Sequence, residues 1–240
     1  MSALAHMLES RGVPCAAIGA VRVQMEKTRP PRGLFVPFEL GRPLGEPEDA
    51  AFQSRVLLQA LKLLERTDGP VILEDFPDDP PGWRDAPGWL PPPLPSVAAP
   101  SDAAAWRVGF AAELSALRPA WERARARFGG STVGLSGVVP DDWPALAAAF
   151  VGGATPRVAG HPTAALALRF LCDDIKAFYG EAGQADGPAP ASRQVNGWFW
   201  RGTLAGQLLI ALRAVAMASE NNALKTVGGR FFVPVPWLPR

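Results

Sequence analysis

The sequence has few cysteines and histidines and almost no net charge. Its two cysteines, Cys15 and Cys172, are too few for a disulfide framework, and two thiols with two histidines make a poor metal site. The 24 basic residues nearly balance the 23 acidic ones, which leaves a net charge of +1. Nucleic acids and anionic membranes attract proteins with a basic surplus, so neither partner is expected.

Long apolar runs are also missing. The longest, residues 204–218, is interrupted by Gln207 and Arg213. At about 15 residues it is too short to span a bilayer, which takes about 20. Residues 1–11 are polar and mixed in charge, which argues against a signal peptide. These features predict a cytoplasmic protein with no membrane partner.

The composition is that of a globular protein. Of its 240 residues, 48% are hydrophobic and 20% are charged. The chain also has 26 prolines and 24 glycines, and many of the prolines fall within residues 77–100. We therefore expect a loop-rich α/β protein rather than a helical bundle. The predicted organisation is an α/β segment over 1–76, a proline- and tryptophan-rich connection over 77–100, and a helix-rich remainder over 101–240 that packs with the first part as one compact unit.

The first segment predicts strands and helices that alternate. Buried apolar runs and helical spacing indicate a helix at 2–10, strands at 13–21 and 33–38, a helix at 52–65 and a strand at 71–75. Asp49 is a plausible N-cap for the second helix. This alternation favours a mainly parallel sheet with flanking helices, whose ligands bind beyond the carboxyl ends of the strands. The loop over 39–47 occupies such a place.

The second half predicts mostly helices. We expect helices at 102–128, 143–151, 163–179 and 198–218, a strand at 132–139 and an extended segment at 231–237. Pro119 should kink or split the first of these helices. In the proline-rich connection, Trp83 and Trp89 either pack over a neighbouring element or belong to a mobile boundary.

The 39–47 loop is the first candidate site. Gly41 and Gly45 allow a backbone to approach a ligand closely, and Glu39 and Arg42 add two charges. The amides at the start of the following helix favour anions. The alternative is a structural turn with a solvated Arg42. A group of basic residues near the second turn is either a carboxylate-binding cluster or a solvated loop: Arg22, Lys27, Arg29 and Arg32.

Other polar and aromatic residues have structural explanations beside functional ones. Both cysteines lie in apolar patterns typical of inert thiols. His161 is either an acid–base group or a helix-start residue. One set of residues forms either the polar end of an apolar pocket or a solvated helix end: Asp173, Asp174, Tyr179 and Glu181. The aromatic group at 196–201 either stacks on a ligand or a partner, or anchors the following helix in the core. The chain has no serine-hydrolase elbow, dinucleotide fingerprint or phosphate loop, and we assign it no cofactor and no catalytic residue.

Part of the first segment resembles the selenoprotein B family. The resemblance covers residues 2–75 and rests on 8–14, 30–32, 35–47 and Gln53 with the 52–65 helix. That family comprises the substrate-activating subunits of the glycine, sarcosine, betaine and D-proline reductases, and it has many cysteine-containing relatives. The resemblance implies reductive C–N or C–S cleavage at a selenolate or thiolate that lies just upstream of the first helix.

The reactive position implied by this resemblance has no counterpart in the sequence, and neither cysteine matches it. Three explanations are open: a half that pairs with a thiol-bearing subunit, a chain that kept the ligand fold without the chemistry, or a translation start further upstream. We favour a reductase-related subunit that binds a small amino-acid-like or amine-like substrate, with the thiol supplied by a partner chain or by a missing upstream segment. The expected substrate-binding residues are Glu39, Gly41, Arg42, Gly45 and Arg32.

The alternative is a non-enzymatic interaction or structural subunit of a heteromeric complex. In that case the tryptophans at 83 and 89 and the aromatic residues at 198–200 would dock another chain, because tryptophan is favoured at binding hot spots. Both hypotheses include a protein partner.

Overall fold

The computed structural model describes residues 1–38, 40–79 and 85–238. It confirms the predicted α/β class with a helix-rich second half. The chain divides into two compact units, Met1–Arg84 (unit 1) and Asp85–Arg240 (unit 2). Each unit has its own cluster of buried apolar side chains.

Unit 1 is a three-stranded parallel sheet with flanking helices. Its elements are α1 (Ser2–Glu9), β1 (Ala17–Gly19), α2 (Arg22–Thr28), β2 (Arg32–Phe35), α3 (Ala50–Lys62) and β3 (Ile72–Asp75). The strand order is β1-β2-β3, and Leu34 of β2 pairs with Ile18 on one side and Glu74 on the other. The predicted parallel sheet is therefore present, although its strands are shorter than the apolar runs suggested.

Helix α3 forms because its apolar residues recur at helical spacing and its start is capped. The Asp49 side chain accepts a hydrogen bond from the Phe52 N–H at 3.0 Å, as the sequence predicts. Val56 is fully buried and packs in one cluster with Leu34 of β2. Burying a side chain of this size stabilises the fold by about 1.5–3 kcal/mol.

Helix α2 was missed from the sequence, which indicated only a charged loop there. Its single buried side chain is Met25, and one apolar residue gives no periodic signal. The space for Met25 comes from two strand glycines: a Cβ on Gly19 would lie 2.6 Å from the Met25 Sδ, and one on Gly33 would lie 2.8 Å from its Cε. Arg29 ends the helix in a left-handed conformation, with φ of 44°.

Unit 2 is helical in the part that the structure describes. Its elements are α4 (Ala103–Phe128), α5 (Trp143–Val151), α6 (Ala164–Ala182), α7 (Ser192–Gly202), α8 (Leu204–Ala218) and α9 (Asn222–Val227), followed by a π turn (Gly228–Phe232) and a short 3₁₀ turn (Val235–Trp237). Helix α4 packs against α5, α6 and α8 around one apolar core. Fully buried Trp143, Phe178 and Leu208 lie in that core.

Several details of unit 2 differ from the sequence predictions. Residues 132–139 form no strand; Gly134 and Gly137 turn the chain there with positive φ angles. The segment predicted as extended, 231–237, contains the end of a π turn and a 3₁₀ turn, with extended backbone at Val233 and Pro234 between them. Helix α6 continues past Gly180 to Ala182. Pro119 does not split α4, since it lies on the exposed side of an unbroken helix.

The predicted helix at 198–218 is two helices that meet at Thr203. The Thr203 hydroxyl accepts a hydrogen bond from the Gly206 N–H at 3.0 Å and donates one to the Phe199 carbonyl at 2.7 Å. The corner is so tight that a Cβ on Gly206 would lie 2.3 Å from the Phe199 oxygen. A local side-chain bond of this kind competes with helix continuation.

Residues 85–100 belong to unit 2. The Trp89 indole N–H donates to the Gly183 carbonyl at 2.9 Å, and Leu94 packs against the core. The second tryptophan of the predicted connection, Trp83, lies outside the described residues. None of the helices that the structure describes is both long and apolar enough to cross a membrane.

Candidate functional site

The loop after β2 lies where the sequence predicts it. Strand β2 ends at Phe35, and the chain reaches the start of α3 at Ala50 through this loop. Gly41 and Gly45 have φ angles of 93° and 91°, which few other residues adopt without strain. The Gln53 side chain donates to the Glu46 carbonyl at 2.7 Å, so the loop is tied to the first turn of α3.

Arg42 is the charged side chain that this loop presents. Its Nη1 lies 3.1 Å from both carboxylate oxygens of Glu46. The two side chains are 48% and 31% exposed, and a pair this open contributes about 0–1 kcal/mol. The carboxylate of a ligand can therefore replace Glu46 as the partner of Arg42 with little loss of free energy. Glu39 lies outside the described residues.

Arg32 does not belong to this site. It is the first residue of β2, so it lies at the amino end of the strand, opposite the end that leads into the loop. Its guanidinium donates to the Glu9 carboxylate and to the Arg66 carbonyl. The expected grouping of Arg32 with Gly41, Arg42 and Gly45 is therefore wrong in this structure, because a strand separates them.

The basic cluster predicted near the second turn is also dispersed. Arg22 begins α2, while Arg29 ends it and Arg32 starts the next strand. Arg22 instead donates to Asp75 and, at 2.9 Å, to Glu26. These hydrogen bonds, the one to Glu26 foremost, raise the pKa of Arg22 above its usual value.

The Arg22–Asp75 pair is the part of this sheet edge that sequence reasoning missed. Asp75 ends β3, and Arg22 follows β1, so both lie at the carboxyl ends of parallel strands. The Arg22 guanidinium also lies 5.5 Å from the centre of the Phe35 ring. The i,i+4 spacing of Arg22 and Glu26, which is typical of a helix, could have indicated α2 but not the pairing with Asp75.

An aromatic cluster forms the base of the same edge. Phe38, Phe52 and Phe76 are buried, with ring centres 5.5–5.7 Å apart. Arg55 lies 5.6 Å from the Phe52 ring centre and pairs with Asp78. The carboxyl edge thus combines a rigid apolar base with arginines whose present partners are exposed carboxylates.

Neither thiol has the surroundings of a nucleophile. Cys15 donates to the Ala5 carbonyl at 3.4 Å; burial first, and then the nearby Glu9 charge, raise the pKa of its thiol. Cys172 is fully buried in the core of unit 2, and burial raises the pKa of its thiol well above the usual value. The thiolate is the reactive form, so both groups are held in the unreactive one.

The polar candidates of unit 2 hold the fold together. Asp174 binds the turn at 134–136, and Tyr179 donates to Glu113 at 2.7 Å. Glu181 accepts from the Trp121 indole at 2.8 Å and from the 131–132 turn. Each of these groups has hydrogen-bond partners within the unit. Glu181 also lines an open pocket, together with Phe128 and Thr132.

Three further candidates of unit 2 also make structural contacts, although His161 lines an open pocket with Arg157 and Thr163. One ring nitrogen of His161 lies 2.8 Å from the Ser136 carbonyl, which fixes the imidazole beside the turn. Asp173 pairs with Lys176 at 2.8 Å on the surface of α6. In the aromatic group at 196–201, the Phe199 and Trp200 rings are buried and anchor α7 in the core.

Among residues 1–38, 40–79 and 85–238, no three histidine, cysteine or carboxylate side chains come together as metal ligands. Comparisons of the chain with protein-family models, with curated proteins and with solved structures found no match.

The Glu9–Arg32 pair gives a pH-dependent prediction. Hydrogen bonding to Arg32, foremost among several causes, lowers the pKa of Glu9 from its ordinary value of 4.5. Such a group stabilises the fold fully above its unfolded-state pKa, and the contribution is lost as the pH falls through the folded-state pKa. Glu9→Gln should therefore lower the free energy of unfolding at pH 7 by about 1–2 kcal/mol. The difference from wild type should shrink below about pH 4.

Urea unfolding at a series of pH values measures this effect. Glu65→Gln is the matched control, because Glu65 is exposed and makes no ion pair with any described residue. A Glu9→Gln difference that stayed constant from neutral to acidic pH would contradict the assignment.

Proposed function

We propose that the protein is a reductase-related subunit whose unit 1 binds a small amino-acid-like or amine-like substrate, while the reactive thiol or selenol is supplied by a partner chain. The observation that carries the proposal is the Gly41–Gly45 loop, which presents Arg42 beyond the carboxyl end of β2 and beside the start of α3. Ligands of open parallel sheets bind at this edge.

The loop suits the carboxylate of such a substrate. Arg42 offers two donors to a carboxylate, and its present partner Glu46 is a carboxylate of the same chain that a ligand can replace. Gly41 has no heavy atom within 4 Å of where a Cβ would lie, so the space above it is open. Together these features favour the carboxylate end of glycine, sarcosine, betaine or D-proline.

The positions of the two cysteines are the reason that the proposal assigns the reactive thiol to another chain. Cys172 is inaccessible, and Cys15 lies at the amino end of the sheet with α1, away from the loop. The chain by itself should then bind substrate without reducing it. Rapid labelling of Cys15 by a thiol reagent at neutral pH would oppose this part of the proposal.

Binding is testable on the full chain with the four substrates named above. We expect saturable shifts of the Gly41 and Gly45 amide signals in NMR titrations. Arg42→Gln should weaken binding about tenfold, because a charged hydrogen-bond pair is worth about 1.5–3 kcal/mol. Arg11→Gln is the control, since Arg11 is an exposed arginine of unit 1 outside the loop. Equal affinity of wild type and Arg42→Gln would refute the site.

A second candidate, an interaction subunit of a heteromeric complex, is favoured by the outer side of α3. Leu57, Leu58 and Leu61 are 44–57% exposed there, although the opposite side of the helix already packs on the sheet. Exposed apolar groups of this kind are common at protein interfaces. A native protein that elutes from its source as a 25.5 kDa monomer would exclude this candidate.

A further inference from the structure

A pocket of about 380 Å³ lies in unit 2 among α5, α6, α8 and α9. Its floor is buried and apolar, formed by Phe150, Leu168, Leu212, Ala216 and Leu224. Its mouth consists of backbone and small side chains at 152–155 and 218–219. This size and this apolar lining are typical of sites for small molecules. Among the described residues that line it, no side chain is charged.

Two helices end at the mouth of this pocket. Helix α5 ends at Val151 and α8 ends at Ala218, and both residues line the pocket. The final carbonyl groups of a helix lack partners within it and give that end about half a negative charge. In the turn that closes α5, three N–H groups, those of residues 152, 153 and 154, donate to the carbonyls of residues 148, 150 and 149. The Val151 carbonyl is the one outside these bonds.

Helix α9 also lines the pocket, through Leu224, and the N–H groups at its start carry the opposite partial charge. The Asn221 side chain already accepts hydrogen bonds from the Ala223 and Leu224 N–H groups at 2.9 and 3.3 Å. Those donors are therefore occupied. The mouth therefore exposes backbone carbonyl oxygens above an apolar floor. This combination suits a ligand that has a positively charged group at one end and an apolar group at the other.

We propose that this pocket binds a small arylalkylamine, with the ring on the apolar floor and the ammonium group against the carboxyl ends of α5 and α8. The ammonium group donates hydrogen bonds to backbone carbonyls, so no acidic side chain is needed. This site lies in unit 2 and is independent of the loop site proposed in unit 1. Either one can fail without the other.

Three probes of one size and different heads test the charge argument on the full chain. Phenethylamine carries an ammonium group, phenethyl alcohol is neutral and 3-phenylpropionate is an anion. By calorimetry and ligand-observed NMR, we expect the amine to bind about two- to fivefold more tightly than the alcohol, the range that one helix terminus typically provides. The carboxylate should bind most weakly. Equal affinities, the reverse order or no saturable binding of any probe would overturn the proposal.

A mouth variant tests the location. Ala218→Lys places an ammonium group of the protein at the end of α8, where lysine is compatible with the helix. It should weaken phenethylamine binding about tenfold and leave phenethyl alcohol nearly unchanged. Ala116→Lys is the matched control, an exposed alanine of α4 that does not line the pocket. Val215→Trp, which fills the space beside the floor, should abolish binding of both probes while circular dichroism stays native. Full binding by both pocket variants would contradict the proposal.

Discussion

Replacing Glu113 by alanine is expected to lower the free energy of unfolding of unit 2 by about 3–5 kcal/mol. The Glu113 side chain, only 3% exposed, accepts hydrogen bonds from the Leu204 and Ala205 N–H groups at 2.7 and 3.1 Å. It also accepts one from the Tyr179 hydroxyl at 2.7 Å. The alanine variant leaves all three donors buried without a partner.

Urea unfolding followed by tryptophan fluorescence measures this loss, since several tryptophans lie in the core of unit 2. Tyr179→Phe is the graded control: it removes one donor and leaves Glu113 with its two backbone partners, so it should cost about 1–2 kcal/mol. If Glu113→Ala cost no more than Tyr179→Phe, the carboxylate would not be holding the start of α8.

The second large effect is expected at Asp174, which is fully buried in α6. One of its oxygens accepts from the Gly134 and Leu135 N–H groups at 2.8 and 2.9 Å, and the other accepts from the Ser136 N–H at 2.9 Å and from its hydroxyl. Asp174→Ala should therefore destabilise unit 2 by about 3–4 kcal/mol and release the turn at 134–136.

Its neighbour provides the comparison. The Asp173 side chain is partly exposed and pairs with Lys176, so Asp173→Ala should change the free energy of unfolding by no more than about 1 kcal/mol. Hydrogen exchange of the Gly134, Leu135 and Ser136 amides reports the turn directly. Amides that stay protected in Asp174→Ala would show that other contacts hold this turn.

The sequence predicts those elements of the fold that a single local signal determines, such as the spacing of apolar residues or a capping side chain. Helix α3 has a regular apolar stripe and a capping aspartate, and both appear in the structure. Helix α2 was not predictable, because its only buried side chain fits under two glycines of the sheet. Residues 132–139 are apolar enough to suggest a strand, but the turn they form depends on Asp174, which is distant in sequence. Such contacts leave no local pattern.

The candidate site was likewise predictable only where the local order of elements determines it. The position of the Gly41–Gly45 loop follows from the order of strand, loop and helix, so the sequence places it correctly. The pairing of Arg22 with Asp75 joins residues from two strand ends, and the sequence does not indicate which charges meet. Arg32 was assigned to the site by a motif and lies at the other end of its strand. The resemblance to the reductase subunits stays a prediction.

The corner between α7 and α8 has a consequence for how this protein can change in evolution. Any side chain at 206 would collide with the Phe199 carbonyl, so glycine is fixed there by geometry rather than by chemistry. Thr203 should keep a hydroxyl and position 113 a carboxylate, because these side chains accept the hydrogen bonds of buried backbone N–H groups at the start of α8. These three positions should therefore vary least among homologues. Together they form a fingerprint by which distant homologues of unit 2 would be recognised after the rest of the sequence has diverged.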